Sequence, residues 1–228
     1  MAKIPVADRM HEQRVSQSRE AHEGGPFVTI SRQYGCHGFS LGLLLLEILN
    51  DRADTHEEIW KIYHKEILDR LATETHLAAD ILERQRRGKP SLFEDFFRSL
   101  SGEKIPSGYE VRNRITEIIR GLACQGRAVI IGQGGAGATG DMPNGLSVRL
   151  EAPEDWRVKQ VVLDEGISET EARLRIQAKE KEREYLRSIY ESRFPRKPAF
   201  HLTYDCSAFT LAQIAQHVVH AMKLKKMT

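Results

Sequence analysis

The segment from residue 26 to residue 42 constrains the fold of this chain most, because it combines three parts of one compact unit. A short apolar run, residues 27–30, is typical of a buried strand, and the apolar residues from Leu41 onward predict a helix. Between them, Gly35 and Gly38 permit the unusual backbone angles of a tight turn. A strand, a glycine turn and a helix whose first N–H groups face outward form a binding site for phosphate.

The turn lacks the lysine that usually completes a phosphate-binding loop. In that loop, Gly-Lys-Ser/Thr brings an ammonium group to the outer phosphates and a hydroxyl group to magnesium. Here the corresponding residues are Gly38, Phe39 and Ser40, and a phenyl ring cannot pair with phosphate. We therefore expect Arg32, His37 or a separate lid to supply the charge, or the nucleotide to bind poorly. The alternative is an ordinary corner between a strand and a helix.

Strands and helices alternate along the rest of the chain, which predicts a parallel α/β sheet. Further strands are expected near 59–63 and at 128–131, 146–150 and 201–206. Gly132, Gln133 and Gly134 follow the strand at 128–131 as a second glycine turn. Because ligands of such sheets lie at the carboxyl ends of the strands, the two glycine turns are candidates for a single site.

The chain of 228 residues is long enough for one substantial core, and we expect one domain at residues 26–228. Residues 1–25 are polar and carry mixed charge, which predicts a loose N-terminal extension. Apolar residues at helical spacing predict helices at 66–87 and 92–100, and breaker segments follow them at 88–90 and 101–108. We therefore expect a small helical cap at about residues 64–110.

Composition and charge exclude several classes of function. The formal net charge of +2 gives no strong basic field, so we expect no nucleic-acid partner. No apolar run approaches the roughly 18 residues that cross a bilayer, and the N-terminus lacks the apolar core of a signal peptide, so we expect a cytoplasmic protein without a membrane partner. These patterns do not indicate an oligomeric state.

The cysteines Cys36, Cys124 and Cys206 are widely spaced, which predicts reduced thiols and neither a disulfide framework nor a structural zinc site. Cys36 stands beside a predicted helix start, where thiolate is favoured. We therefore expect Cys36 to react with alkylating agents faster than the other two cysteines. The alternative is that it fills a small-residue position and is inert.

A strongly charged helix is predicted from Ser168 to about Tyr190, where Ser168 and Glu171 form a capping box. Its simplest interpretation is a solvated helix with ion pairs between successive turns. Arg183 and Arg187 stand one turn apart, however, so that both can reach a single phosphate chain. They are our candidate catalytic residues.

Several short motifs occur along the chain in a definite order. They are Thr29-Ile-Ser-Arg-Gln-Tyr-Gly35, Tyr63-His-Lys-Glu-Ile67, Val129-Ile-Ile-Gly132, Val148-Arg-Leu-Glu-Ala-Pro153 with Arg157, Glu180-Lys-Glu-Arg183 followed by Tyr185-Leu-Arg187, and Tyr204-Asp205. In this order and spacing, the chain from Pro26 onward resembles the cytidylate kinase-like family. The resemblance implies the three-layer P-loop fold of nucleoside monophosphate kinases, with a five-stranded parallel sheet, a helical monophosphate-binding cap and an arginine-bearing lid at about residues 176–198. ATP and Mg²⁺ are implied as cofactors.

The resemblance also implies roles for individual residues. Those expected to bind ATP are Ser31, Arg32, Gly35, Cys36, His37, Gly38, Phe39 and Ser40, with the Ser40 hydroxyl in the magnesium shell. Arg183 and Arg187 are implied as lid arginines that grip the phosphates. Those expected to bind the monophosphate substrate are Tyr63, Lys65, Gly132, Gln133, Gly134, Arg157 and Asp205. Two alternatives stay open: Arg157 positions phosphate or binds a carboxylate of the fold, and Asp205 serves the site or caps a turn.

The chain departs from the family pattern within these motifs. Cys36, His37 and Phe39 stand where the family usually has serine, glycine and often a basic residue, and Gln133 replaces an arginine. His64 replaces the commoner aspartate of the motif after Tyr63. A side chain at position 37 is expected to obstruct the close backbone approach that glycine allows.

These observations lead to one prediction of function and two alternatives. We predict ATP-dependent phosphoryl transfer to a nucleoside monophosphate, with CMP or dCMP favoured by the resemblance. The first alternative is a catalytically weak or inactive nucleotide-binding or regulatory protein with a degenerate phosphate loop. The second is an interaction protein that acts through residues 1–25.

Overall fold

A computed structural model of the chain describes residues 24–51, 59–64, 108–193 and 199–227, and these ranges form a five-stranded parallel sheet with helices on both faces. The strands are β1 (Phe27–Arg32), β2 (Lys61–Tyr63), β3 (Ala128–Ile131), β4 (Gly145–Glu151) and β5 (Leu202–Asp205). Their order across the sheet is β2-β3-β1-β4-β5, and every neighbouring pair is parallel. Strand β1, which precedes the glycine turn at Gly35, therefore lies at the centre of the sheet.

The helices in these ranges connect the strands and cover the sheet. They are α1 (Gly38–Asn50), α2 (Gly108–Gln125), α3 (Gly135–Ala138), α4 (Glu154–Glu165), α5 (Glu169–Arg193) and α6 (Leu211–Leu224). Because side chains alternate across a strand, β1 serves two cores. Val28 and Ile30 pack into a core with α1 and α6, whereas Phe27 packs into another with α2 and α3. This arrangement confirms the predicted three-layer α/β P-loop fold.

The strongest local patterns of the sequence correspond closely to the observed elements. Strand β3 has the predicted bounds, β4 is longer than predicted by one residue at each end, and β5 is shorter by one residue at each end. Both predicted capping boxes are present: Ser168 accepts from the Glu171 N–H, and Thr210 accepts from the Gln213 N–H. The short helix α3 was not predicted, since its sequence, Gly-Ala-Gly-Ala, has no periodicity.

Parts of the predicted organisation fall outside the described residues. These are most of the N-terminal extension, residues 65–107 of the cap and residues 194–198 of the lid. The domain boundaries and the cap therefore stay predictions. Across the described ranges, no helix combines the length and apolar character that a bilayer span requires.

Candidate functional site

The predicted phosphate loop connects the carboxyl end of β1 to the start of α1. Gly35 adopts a φ of 87°, in the left-handed region, and His37 at the N-cap position of α1 has a φ of 45°. The His37 side chain makes no capping hydrogen bond, and the first turn of α1 contains no acidic residue. Since the first N–H groups of a helix have no intrahelical partner, this helix start has the properties of an anion site.

Arg157, on α4, packs against the loop at Tyr34 and Gly35. A β-carbon on Gly35 would lie 3.0 Å from the carbonyl oxygen of Arg157, so glycine is required here by both space and φ. The Arg157 side chain is buried; its Nε donates to the Ala152 carbonyl at 3.0 Å and its Nη1 to the Tyr34 carbonyl at 3.5 Å. Its Nη1 also lies 4.0 Å from a carboxylate oxygen of Glu180. These are contacts within the protein, as in the alternative that Arg157 binds a carboxylate of the fold.

Arg32 brings the two glycine turns together. Its side chain passes alongside Gly38, where a β-carbon would lie 3.0 Å from its Cγ and Cδ, and it ends against Gly132, where a β-carbon would collide with its Nη1. Its Nη2 lies 3.3 Å from Nε2 of His64, just after β2. Gly132 and the buried Gln133 both adopt positive φ. The guanidinium of Arg32 therefore stands between β1, β3 and β2.

The His37 imidazole lies against α4. Its Nδ1 is 3.3 Å from a carboxylate oxygen of Asp164, and its Nε2 is 3.3 Å from the side-chain oxygen of Gln160. We expected the His37 ring either to obstruct the helix start or to supply charge to the loop. It does neither, because both of its nitrogen atoms face α4. On α1, Phe39 is 43% exposed with its ring centroid 5.5 Å from that of His64.

The charged helix α5 contacts the loop through Glu180 and Arg183. The backbone N–H of Tyr34 donates to a carboxylate oxygen of Glu180 at 2.6 Å, and Nη1 of Arg183 donates to the Arg32 carbonyl at 3.1 Å. The Arg183 guanidinium also lies over the Tyr34 ring, 5.2 Å from its centroid. Arg187 follows one turn later in α5, and its side chain lies outside the described part of the chain. This face of α5 is therefore not simply solvated.

Tyr34 belongs to the first motif of the sequence, but no role was predicted for its side chain. Its hydroxyl donates to a carboxylate oxygen of Glu165 at the end of α4. Burial, and then the hydrogen bond to Glu165, raise the pKa of Tyr34 to about 12. Together with its contacts to Glu180 and Arg183, this bond fixes the loop between α4 and α5.

The remaining predicted site residues lie around the same edge of the sheet. Ser31, at the end of β1, receives a hydrogen bond of 2.9 Å from Nη1 of Arg149, a buried arginine on β4 that sequence reasoning missed. Tyr63 ends β2 and is half-buried, whereas Lys65 lies outside the described residues. The left-handed Gly134 precedes α3, and Ser40 is exposed on the first turn of α1.

Asp205 ends β5 and makes the contacts of a turn-capping residue. One of its carboxylate oxygens accepts from the backbone N–H of Ser207 at 2.8 Å and from its hydroxyl at 2.6 Å. These hydrogen bonds lower the pKa of Asp205. The observed geometry is thus that of the second alternative considered for this aspartate.

A cavity of about 340 Å³ opens beside the loop, on the side of β4 and β5. His37, Trp156 and Gln160 line one wall, and the segment 206–211 after β5 lines the other. No motif in the sequence indicated this cavity, because its walls come from three separate segments that only the sheet order brings together.

The thiol groups contradict the expectation of a reactive Cys36. Its side chain is fully buried, and a hydrogen bond with Cys206 followed by burial raises the pKa of its thiol. Burial thus outweighs the nearby helix start. Cys124, by contrast, is exposed at the end of α2. The observed contact between Cys36 and Cys206 was not predicted.

The residues of the loop can hold a nucleotide and its magnesium ion through the helix start and a single side-chain hydroxyl group. Among the described residues, no three His, Cys, Asp or Glu side chains form a metal cluster. Mg²⁺ in phosphoryl-transfer sites is commonly held by substrate phosphates, waters and one or two protein groups, for which such a cluster is unnecessary. The exposed hydroxyl of Ser40 is a suitable group beside the anion site.

Comparisons with known proteins agree with the observed architecture. Residues 27–208 match the cytidylate kinase-like family, whereas the search of curated proteins found no match. Among solved structures, an uncharacterized protein from Eubacterium ventriosum is similar with 20% identity and a TM-score of 0.62, covering 88% of this chain and 99% of that one. This likeness supports the fold.

Two shikimate kinases are also similar. That from Bacteroides thetaiotaomicron has 13% identity and a TM-score of 0.48, covering 87% of this chain and 98% of its own. That from Acinetobacter baumannii, in complex with shikimate, has 16% identity and a TM-score of 0.45, covering 92% of this chain and 99% of its own. At these values neither likeness bears on the function of this chain.

Proposed function

The chain belongs to the cytidylate kinase-like family, and from this premise we propose that it transfers a phosphoryl group from ATP to a nucleoside monophosphate. Membership supports kinase-type phosphoryl transfer in general. CMP or dCMP is the acceptor that the family name favours.

The observation that carries the proposal is the uncapped helix start of α1 with Arg32 and Arg183 beside the same loop. Backbone N–H groups at Gly38, Phe39 and Ser40 would hold the donor phosphates, because they point out of the first turn and receive no cap from His37. Arg183 contacts the loop from α5, and the Arg32 side chain runs from Gly38 to Gly132. Fixed cations around the transferred group stabilise the charge of the transition state without reorganising.

The strand order supports separate places for the two nucleotides. With β1 in the centre, β3 and β2 lie on one side of the loop, and β4 and β5 lie on the other. We assign the acceptor phosphate to the first side, where Arg32 meets Gly132 and His64. We assign the base of ATP to the cavity on the second side, whose volume of about 340 Å³ is within the range of small-molecule sites.

The chemistry requires little beyond this arrangement. The acceptor is an ionised phosphate, so no general base is needed. Bound Mg²⁺ would neutralise charge between the outer phosphates, and the Ser40 hydroxyl would stand in its shell. The residues of the chain position the reactants and stabilise charge, and in phosphoryl transfer these are the main sources of catalysis.

A second candidate function is nucleotide binding without efficient turnover. The observations that favour it are the exposed phenyl ring of Phe39 and the buried amide of Gln133, both at places where a cation is expected. Both functions use the same anion site. They differ in whether the cations around the transferred group are sufficient for turnover.

The experiment that tests both is a coupled assay of the full chain with Mg²⁺-ATP and the common monophosphates, joined to calorimetry of ATP binding. Turnover with a preference for CMP or dCMP is the expected result. ATP binding without turnover for any monophosphate would favour the second function. A protein that neither binds ATP nor transfers phosphate would refute both.

A further inference from the structure

Two thiols meet at the base of the phosphate loop. Cys36 follows Gly35 in the loop, and Cys206 is the first residue after β5. Both backbones are fixed, since the Cys36 N–H donates to the Gln33 carbonyl at 3.2 Å and the Cys206 N–H to the Glu151 carbonyl at 2.8 Å. The two side chains are free thiols of the same buried core, and they are near enough that a hydrogen bond between them is the first cause of the pKa shift of each.

The two sulfur atoms differ in access. Cys36 is 0% exposed, whereas Cys206 is 6% exposed and lines the cavity beside the loop. Of the two cysteines, Cys206 is therefore the one that a small molecule in this cavity meets first. The hydrogen bond from Cys36 lowers the pKa of the Cys206 thiol, while the same bond and burial raise the pKa of Cys36. Cys206 is thus both the accessible thiol and the one that ionises first.

We propose that Cys36 and Cys206 form a redox site in which a hydroperoxide converts the thiol pair to a disulfide. The thiolate of Cys206 attacks the peroxide, its S–O bond forms as the O–O bond breaks, and with hydrogen peroxide the leaving hydroxide takes up a proton as water. The sulfur of Cys36 then attacks the sulfenic acid of Cys206. The S–S bond forms, the S–O bond breaks, and the hydroxyl leaves with the Cys36 proton as a second water. Two thiols are oxidised by two electrons, and one peroxide is reduced.

The disulfide ties the phosphate loop to the end of β5. A disulfide holds its sulfur atoms about 2.05 Å apart, which is shorter than a thiol hydrogen bond by on the order of 1 Å or more. Closing that gap draws Cys36 toward β5 and shifts the N–H groups of the neighbouring loop residues. Such a displacement weakens directional contacts to phosphate. This consequence rests on the function proposed above, whereas formation of the bond does not.

The pair is tested in the full chain carrying Cys124→Ser, which removes an exposed cysteine and with it disulfides between molecules. Hydrogen peroxide is added in graded amounts, remaining thiols are alkylated, and intact mass is measured without reductant. We expect a loss of about 2 Da, a peptide linked through residues 36 and 206, and reversal by dithiothreitol. Cys206→Ala and Cys36→Ala should each abolish the linked peptide, and Ser207→Ala, which alters the same cavity wall, should retain it.

Two results would overturn the redox site. One is peroxide treatment that leaves the mass of the Cys124→Ser protein unchanged. The other is oxidation that stops at sulfinic acid on a single cysteine, which would show that the second sulfur cannot reach the first. Both are read in the protein with Cys36 and Cys206 intact, so they hold even if an alanine variant does not fold.

The coupling to the loop is measured by calorimetry with Mg²⁺-ATP on the same sample before oxidation, after oxidation and after reduction. We expect the affinity to fall about tenfold or more on oxidation and to return with dithiothreitol. A complete disulfide with unchanged affinity would overturn the coupling. Reduced protein that does not bind ATP would refute the proposed nucleotide function, while the mass measurement would still decide the redox site.

Discussion

Replacing Arg183 with alanine perturbs both the fold and the proposed chemistry, because this side chain contacts the phosphate loop from α5. Its Nη1 donates to the Arg32 carbonyl at 3.1 Å, it lies 3.5 Å from a carboxylate oxygen of Glu180, and its guanidinium covers the Tyr34 ring at 5.2 Å. The side chain is 25% exposed. On a solvated helix, the simplest interpretation of the sequence, loss of this arginine would leave the melting temperature nearly unchanged, whereas these contacts predict a decrease.

The magnitude follows from the individual contacts. A hydrogen bond from a charged donor contributes about 1.5–3 kcal/mol and an exposed cation–π contact about 0.5–1 kcal/mol. Partial exposure reduces both, and Glu180 retains its bond to Tyr34 in the variant. We expect a net loss of about 1–2 kcal/mol, which lowers the melting temperature by about 2–8 °C in a protein of this size. Loss of a charge-assisted phosphate contact should also slow turnover by about 10- to 100-fold.

Thermal unfolding and the coupled kinase assay measure the two effects separately. Arg173→Ala is the matched control, since Arg173 lies on the same helix and pairs with Glu154 and Asp155 at the surface. It should leave both quantities near those of the parent. Arg183→Lys should fall between parent and alanine, because it keeps the charge and loses the planar fork. Reduced stability with full turnover of the folded Arg183→Ala protein would refute a catalytic role.

Three further variants test the loop and its surroundings. Gly38→Val should abolish ATP binding in calorimetry without unfolding the protein, because the added side chain displaces the flexible side chain of Arg32 and no backbone. Unchanged affinity would show that ATP does not bind at this loop. The raised pKa of Tyr34 keeps the folded tyrosine protonated between pH 10 and about 12, while the unfolded one ionises, so the free energy of unfolding falls as pH rises. Tyr34→Phe should remove part of this fall, which urea titrations at a series of pH values measure. A parallel decline in parent and variant would contradict the Tyr34 bond to Glu165. Thr210→Ala should cost about 1 kcal/mol, read as a lower melting temperature, because it removes the cap of α6, and an unchanged value would mean that water replaces the cap.

Local patterns were sufficient to predict much of the fold. The run before Gly35, the strand at 128–131 and the two capping boxes depend on residues close in sequence, whose periodicity and chemistry specify the local structure. The family resemblance added the order of the motifs and therefore the P-loop architecture. Together they located the loop and both glycine turns at one edge of the sheet.

The contacts that sequence reasoning missed depend on the strand order. Cys206 meets Cys36 because β5 pairs with β4, which pairs with β1, and no local pattern contains that information. Arg149 reaches Ser31 for the same reason, since the two residues are partners in the register of β1 and β4. Glu180 is the exception. It stands three positions before Arg183 on one helix face, so the proposed role of the arginine could have drawn attention to it.

His37 explains how the loop departs from its family pattern and still keeps an anion site. A residue with a β-carbon at a φ of 45° costs about 1–2 kcal/mol relative to glycine, and the bonds of its ring to Gln160 and Asp164 offset part of this cost. Because these bonds hold the imidazole against α4, the helix start stays open to phosphate. The substitution at position 37 thus bears on the loop conformation, whereas Phe39 and Gln133 bear on the charge around the transferred group. The two proposed functions accordingly share one binding site, and the rate supported by the remaining arginines distinguishes them.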